Sequence, residues 1–346
     1  MNYFFPSFIE SVDVKQNILP QLEITVNSGT NALRLLLRSF NLSPGDKIAI
    51  PAFVCDSVKF AVEQEKFTAV LLDLKPDNTF WTSYNIDYIK SENIKAVILV
   101  HLYGFIHPDS AEIIDLCKKN NIKLIHDAAQ SYGIDEKLLN NGNGIVYSFG
   151  PGKSTTAAGG AWIKVLEENN NIYSLSKPTF LSFQSAKAKF FLKSRIFGYK
   201  FSKYESLLNK ILSKINSNVI FSMSGFQLKM ASYSISKLNE IRPFRKKRYL
   251  ILKEAIIKNP LLAIVNNDEN GLNFKIIFFV KNEVDRFKKF LELNNAPYFT
   301  LFNKANNDTR LVNFVKNAQK FVEISCEASI PEREIQRIAN LISNYK

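Results

Sequence analysis

Residues 95–102 read Lys-Ala-Val-Ile-Leu-Val-His-Leu, an apolar run with almost no polar interruption. A strand with one face in water alternates apolar and polar side chains, because successive residues point to opposite faces. A run without alternation is predicted to be a strand covered on both faces. The surrounding sequence supplies the covers: residues 31–40 carry Ala32, Leu33, Leu35, Leu36 and Leu37 at helical spacing, and residues 55–64 and 108–120 read as helices too. Between them lie further strand-like runs at 47–50, 68–74, 123–127, 144–149 and 161–166. Strands alternating with helices predict an α/β fold with a mostly parallel sheet and helices on both faces. Ligands bind such sheets beyond the carboxyl ends of the strands.

After residue 166 the rhythm changes. Residues 224–258 read as one long helix interrupted near Pro243, residues 263–265 and 274–280 as strands, and residues 283–294 and 331–345 as helices. The division predicted is a large α/β domain over 1–215, with its core at 25–166, and a smaller α+β domain over 216–346.

At 346 residues, 46% hydrophobic and 22% charged, the chain has the composition of a soluble globular protein. Its first residues, Met1-Asn2-Tyr3-Phe4-Phe5-Pro6, lack the basic and apolar regions of a signal peptide. No stretch reaches the roughly 18 uncharged apolar residues of a membrane helix. Cys55, Cys117 and Cys326 are odd in number, widely spaced and set among apolar neighbours, which fits a reduced cytoplasm and neither a disulfide framework nor a zinc site. The net charge of +13 is concentrated in 187–214 and in Arg242-Pro243-Phe244-Arg245-Lys246-Lys247-Arg248. Such segments suit an anionic partner such as a nucleotide diphosphate, or else form a solvated helix face. No nucleic-acid-binding motif accompanies them.

The chemistry-bearing residues fall at strand ends. Lys153 lies in Ser148-Phe149-Gly150-Pro151-Gly152-Lys153, a glycine-rich turn, and Asp127 ends the run Leu124-Ile125-His126-Asp127. A lysine amine and a buried carboxylate are what pyridoxal 5'-phosphate requires: the amine condenses with its aldehyde, and the acid keeps its ring nitrogen protonated. Gln130 is placed to donate to the ring hydroxyl. Ser28-Gly29-Thr30 precedes a helix, whose free N–H groups seat a phosphate, and Ser148 adds a hydroxyl. Taken singly, each has a plainer reading: an N-cap, a carboxylate capping a turn, a surface lysine. His101 and His107 read as packing or loop residues, and Trp81 and Trp162 as core.

In order along the chain stand Asn27-Ser28-Gly29-Thr30-Asn31-Ala32-Leu33, Ser43-Pro44-Gly45-Asp46, Ile50-Pro51-Ala52-Phe53, Val100-His101-Leu102-Tyr103-Gly104, His126-Asp127-Ala128-Ala129-Gln130-Ser131-Tyr132-Gly133 and Ser148-Phe149 with Lys153. In these the chain resembles the DegT/StrS-type sugar aminotransferases, closely over about 25–165 and more loosely over 223–228 and 330–342. The resemblance implies the aspartate-aminotransferase-like fold (PLP fold type I) and pyridoxal phosphate as cofactor. It matches Lys153 to the family's Schiff-base lysine, Asp127 to the partner of the ring nitrogen, Gln130 to the residue near the ring hydroxyl, and Gly29, Thr30 and Ser148 to the phosphate contacts. It further implies a homodimer with active sites at the subunit interface, and transfer of an amino group, generally from glutamate, to a nucleotide-linked keto-sugar in amino-sugar or surface-polysaccharide biosynthesis. The chain departs from the family pattern at several points. Cys55 stands where an aromatic often stacks on the ring, so Cys55 and Phe53 both count as cofactor-contact candidates. Ala158-Gly159-Gly160-Ala161 replaces Gly-Glu-Gly-Gly, and Ile220-Phe221-Ser222 replaces Asn-Tyr-Arg. These departures leave two other readings open: a non-sugar carbonyl acceptor such as a cyclitol, or a scaffold kept as a binding or regulatory module.

Overall fold

The computed structural model describes residues 24–346 apart from 151, 158, 167–174, 178–218, 267–269 and 301–308. The basic segment 187–214 and the N-terminal residues 1–6 therefore lie outside the described residues.

Seven strands form one sheet in the order β1-β7-β6-β5-β4-β2-β3, with β1 at Ile24–Val26, β2 at Lys47–Pro51, β3 at Thr68–Leu72, β4 at Ile94–Val100, β5 at Lys123–Asp127, β6 at Gly144–Ser148 and β7 at Ala161–Val165. Only β7 runs against the rest, antiparallel to both β6 and β1. The helices between them are α1 (Gly29–Ser39), α2 (Asp56–Gln64), α3 (Ile86–Ser91), α4 (Ser110–Lys119) and α5 (Glu136–Leu139).

The apolar run at 95–102 is β4, and both of its faces are buried. Ala96, Ile98 and Val100 join the core shared with Leu33, Leu36 and Leu37 of α1 and Ala61 and Val62 of α2. Val97 and Leu99 face the other way, into a cluster with Ile113, Leu116 and Cys117 of α4. The missing alternation thus reports two covering layers.

A second sheet, ordered β10-β9-β8, is wholly antiparallel and contains β8 (Leu262–Ile264), β9 (Lys275–Val280) and β10 (Phe321–Ser325). It packs with α7 (Leu238–Lys258), α8 (Val284–Leu293) and α10 (Glu332–Asn344) around Ile276, Phe278, Phe287, Ile335 and Ile342, in the same continuous core as one face of the large sheet. A short α9 (Val312–Asn317) precedes β10. Its first N–H groups, at Asn313 and Phe314, donate to the Asp73 carboxylate just beyond β3 at 2.9 and 2.7 Å. That carboxylate acts as an N-terminal cap supplied by the other sheet.

Three expectations need correction. The helix expected to break near Pro243 breaks at Lys237 instead, between α6 (Gly225–Ser236) and α7, while Pro243 sits inside α7. A proline ring crowds the carbonyl four residues back, here Asn239, so its disturbance falls N-terminal of itself. The run 242–248 is not a uniformly solvated face. Arg242, Arg245 and Arg248 share one stripe by their three-residue spacing and donate inward, to Gly133 O, Ser154 O and Ile330 O respectively. Lys246 and Lys247 are exposed. Finally, Cys117 and Cys326 are buried as expected, but Cys55 is exposed. No helix among the described residues is long and apolar enough to cross a membrane.

Candidate active site

The sheet brings the predicted residues to one edge. Register pairs Val100 with Asp127, and Asp127 with Val146 two residues before Ser148, so β4, β5 and β6 end side by side. Ala161 of β7 pairs with Ser148 on one side and with Val26 on the other. Ser148 and the turn after Val26 are therefore neighbours across a single strand. A Cβ built on Gly29 would lie 3.1 Å from Ser148 Oγ and 3.2 Å from its Cβ, so a side chain at this crossing would require Ser148 to give way by a few tenths of an ångström.

Helix α1 begins at that crossing. Ser28 caps it by accepting from Asn31 N at 3.2 Å, and its first turn contains no acidic residue. The first N–H groups of a helix have no intrahelical acceptor and carry its positive end. Here nothing anionic in the first turn offsets them. Thr30 is half-buried within that turn, and Ser148 Oγ accepts from Gly150 N at 3.3 Å.

The Lys153 turn is fastened from several directions. Lys153 N donates to Gly150 O at 3.3 Å, Thr156 Oγ1 donates to the same carbonyl at 3.0 Å, and Ala157 N donates to Phe149 O at 2.8 Å. Gly152 has φ +76°, a conformation that requires glycine although space there is open. Arg245 Nη2 donates to Ser154 O at 2.9 Å while gripping Glu327 at 2.8 Å, which anchors the peptide just after the lysine.

Burial pushes the Lys153 amine below the ordinary lysine range, with Lys275 acting in the same direction and Asp127, Cys55 and Glu323 against it. Burial also raises the Asp127 carboxyl, against the stabilising effect of Lys153 and of Ala129 N–H, which donates to Asp127 Oδ1 at 3.0 Å. Both shifts have the same cause, since a buried site disfavours either charge. Asp127 is 4% exposed.

Gln130 is oriented by the backbone: Tyr103 N donates to Gln130 Oε1 at 2.7 Å, which fixes the amide and leaves its NH2 end as the free donor. Phe53 is 1% exposed, its ring set against Phe80 and Phe321 with centroids 6.5 and 5.2 Å away, so the structure places it in the core. Cys55, exposed just ahead of α2, is the member of that pair which influences Lys153.

His101 and His107 are buried, in keeping with packing residues, and join His126 in a polar chain. His101 Nδ1 accepts from His107 N at 3.1 Å, so its proton lies on Nε2 and is donated to His126 Nδ1 at 3.0 Å. His126 in turn reaches Asn141 O through Nε2. Tyr103, Lys275, Glu323, Arg245 and Glu327 were not predicted as site residues. The signals for the last four lie in the poorly patterned C-terminal part, and no local motif marks them.

Comparison with known proteins gives a consistent picture. The model of the DegT/DnrJ/EryC1/StrS aminotransferase family matches residues 18–329. The chain is 35% identical over 141 residues to UDP-N-acetyl-3-dehydro-alpha-D-glucosamine 3-aminotransferase of Acidithiobacillus ferrooxidans, covering 38% of this chain and 36% of that protein. It is 30% identical over 154 residues to GDP-perosamine synthase of Caulobacter vibrioides, covering 42% and 40% respectively. The matched stretch thus spans about two fifths or less of these curated relatives' own length. Among solved structures, S. venezuelae DesV superposes with a TM-score of 0.69 at 16% identity, covering 92% of this chain and 83% of that one. NtdA from Bacillus subtilis with bound cofactor PMP gives 0.66 at 17%, covering 93% and 73%. At that identity the likeness speaks for the fold.

Proposed function

The chain belongs to the DegT/DnrJ/EryC1/StrS aminotransferase family, and we propose that it is a pyridoxal phosphate-dependent aminotransferase that transfers an amino group from glutamate to a nucleotide-linked keto-sugar. The observation that carries this reading is the pairing of Lys153 and Asp127 in surroundings that favour neither charge, beside a helix N-terminus left uncompensated. Each element fits one part of the cofactor. The phosphate goes to the first turn of α1 at Gly29 and Thr30 with Ser148 alongside, the ring nitrogen to Asp127, the ring hydroxyl to the NH2 of Gln130, and the aldehyde to Lys153. Of the two residues considered for the ring face, Cys55 is favoured over Phe53 by its exposure.

When bound, pyridoxal phosphate supplies an aldehyde for amines and a ring that accepts the electrons released at the substrate carbon. The chain does the rest. Lys153 needs a free electron pair to attack, and burial supplies it by disfavouring the ammonium form. With the cofactor bound, the same amine would be placed to act as the base that takes a proton from the donor carbon and returns it across the site. Asp127 keeps a cation at the ring nitrogen because a buried carboxylate without one is unstable. Ala129 N–H holds it in place.

The acceptor class rests on relatives whose names specify UDP-, GDP- and dTDP-linked amino sugars, and the net charge of +13 suits a diphosphate. We extend the reading to a homodimer in the cytoplasm, on the family resemblance, and to a large domain over 1–215 with a small one over 216–346. The purified chain should be yellow with pyridoxal phosphate, and glutamate should bleach that visible band. A chain that stays colourless after reconstitution would contradict the reading.

A further inference from the structure

Behind the lysine lies a buried polar network that the proposed reaction has not used. Glu323 of β10 is 1% exposed, and both of its oxygens are engaged. Oε1 accepts from Tyr103 Oη at 2.8 Å, and Oε2 accepts from Lys275 Nζ of β9 at 2.8 Å. The lysine is itself largely buried, its ammonium 5.9 Å from the centre of the Phe274 ring and 5.3 Å from that of Phe299. Tyr103 belongs to the other sheet, in the loop after β4, and is fully buried with φ +57°. A left-handed backbone is uncommon for a bulky residue, and such strain persists only where surrounding contacts hold it. The contacts here are at both ends of the same residue: its N–H orients Gln130 and its hydroxyl orients Glu323.

We propose that Tyr103, Glu323 and Lys275 form a positioning network that holds one anion and one cation at fixed places beside Lys153 and aligns the Gln130 amide through the same residue. This inference rests on Lys153 being the working amine. The groups that bear on Lys153 are Asp127, Cys55, Lys275 and Glu323. Those bearing on Glu323 are Tyr103 and Lys275, and Lys275 is felt in addition by Glu327. The two members of the ion pair act on Lys153 with opposite sign: the carboxylate favours its ammonium form, and the second ammonium favours its free amine. The pair is split between β9 and β10, and the tyrosine comes from the large sheet, so the charges at the lysine are correct only when the sheets are docked in register.

The test reads the amine itself. The full chain is labelled with trace acetic anhydride at neutral pH, and acetylation of Lys153 is quantified by peptide mapping against the exposed Lys59. Glu323→Gln should speed labelling of Lys153 several-fold, because Lys275 then stands uncompensated, and Lys275→Met should slow it. Tyr103→Phe, which removes one hydroxyl and spares the fold, should speed it by a smaller factor, since the carboxylate then loses the donor that holds Oε1 in place. A purely structural network would leave the ratio to Lys59 unchanged or move all three variants together. The proposal is overturned if Glu323→Gln, or Tyr103→Phe where the first variant does not fold, leaves Lys153 labelling unchanged or slows it. Failure of the transaminase reading is separate: it appears as a wild-type chain that binds no pyridoxal phosphate, whereas the labelling requires no cofactor.

Discussion

At position 29 the space for a side chain ends at its first carbon. A methyl group there would press on Ser148 at 3.1 Å, tighter than ordinary contact, and would displace either the hydroxyl or the first turn of α1. Gly29→Ala should therefore weaken pyridoxal phosphate binding by about fivefold to tenfold, near 1 kcal/mol, measured by fluorescence titration with folding intact. The histidine chain makes a second prediction. Burial lowers His107 and His126 to about 4. The folded state therefore binds fewer protons than the unfolded chain between about pH 4 and the ordinary histidine value of about 6.5, and stability must fall as pH drops through that window. The loss should reach about 2–3 kcal/mol per histidine at its acid end, read by urea denaturation, and replacing His107 with Gln should flatten the slope. At this scale the sequence made the positions of Asp127, Lys153 and Gly29 at strand and helix ends legible, because they sit in local motifs whose spacing is visible. It could not reveal that Phe53 turns into the core while Cys55 stays exposed, since residues two apart differ only in which way the loop turns.

Among the elements, α7 shows how a charged run can be structural. Arg248 is buried and donates to Ile330 O, Ala328 O and Phe244 O, tying α7 to the turn that starts α10. Arg248→Met would leave the buried Ile330 carbonyl without its guanidinium donor and Ala328 O without one of its partners, and we expect a loss of about 2–4 kcal/mol in urea unfolding. Lys247→Met, on the exposed side of the same run, should cost less than about 0.5 kcal/mol. The composition gave the charge of 242–248, but which side chains turn inward depends on where α10 docks, a non-local fact. Six strands of the large sheet were legible to within two residues, most plainly β4 and β6, where burial on both faces leaves an apolar run; the three-residue β1 was not named as a strand. Strand β10 was not: Phe321–Ser325 places Glu323 in the middle of the run, and only the Tyr103 and Lys275 partners make that glutamate tolerable there.

For the molecule as a whole, the two sheets share one core and are joined by the Asp73 cap of α9, the Arg245–Glu327 grip on the Lys153 turn, and the Tyr103–Glu323 contact. The change of rhythm after residue 166 coincides with the end of the last strand of the large sheet at Val165, whereas these joints pair residues far apart in sequence. A net charge of +13 acts at this scale as well. Raising ionic strength from about 0.05 to about 0.5 M should raise the KM for a nucleotide-linked acceptor several-fold, with kcat little changed, because screening weakens attraction of the diphosphate. The central claim is that the amine of Lys153 holds the cofactor. Reduction of the pyridoxal phosphate-loaded protein with borohydride, followed by peptide mapping, should place a phosphopyridoxyl group on Lys153 and on no other side chain. Its appearance elsewhere, or on no residue of the loaded protein, would contradict the account.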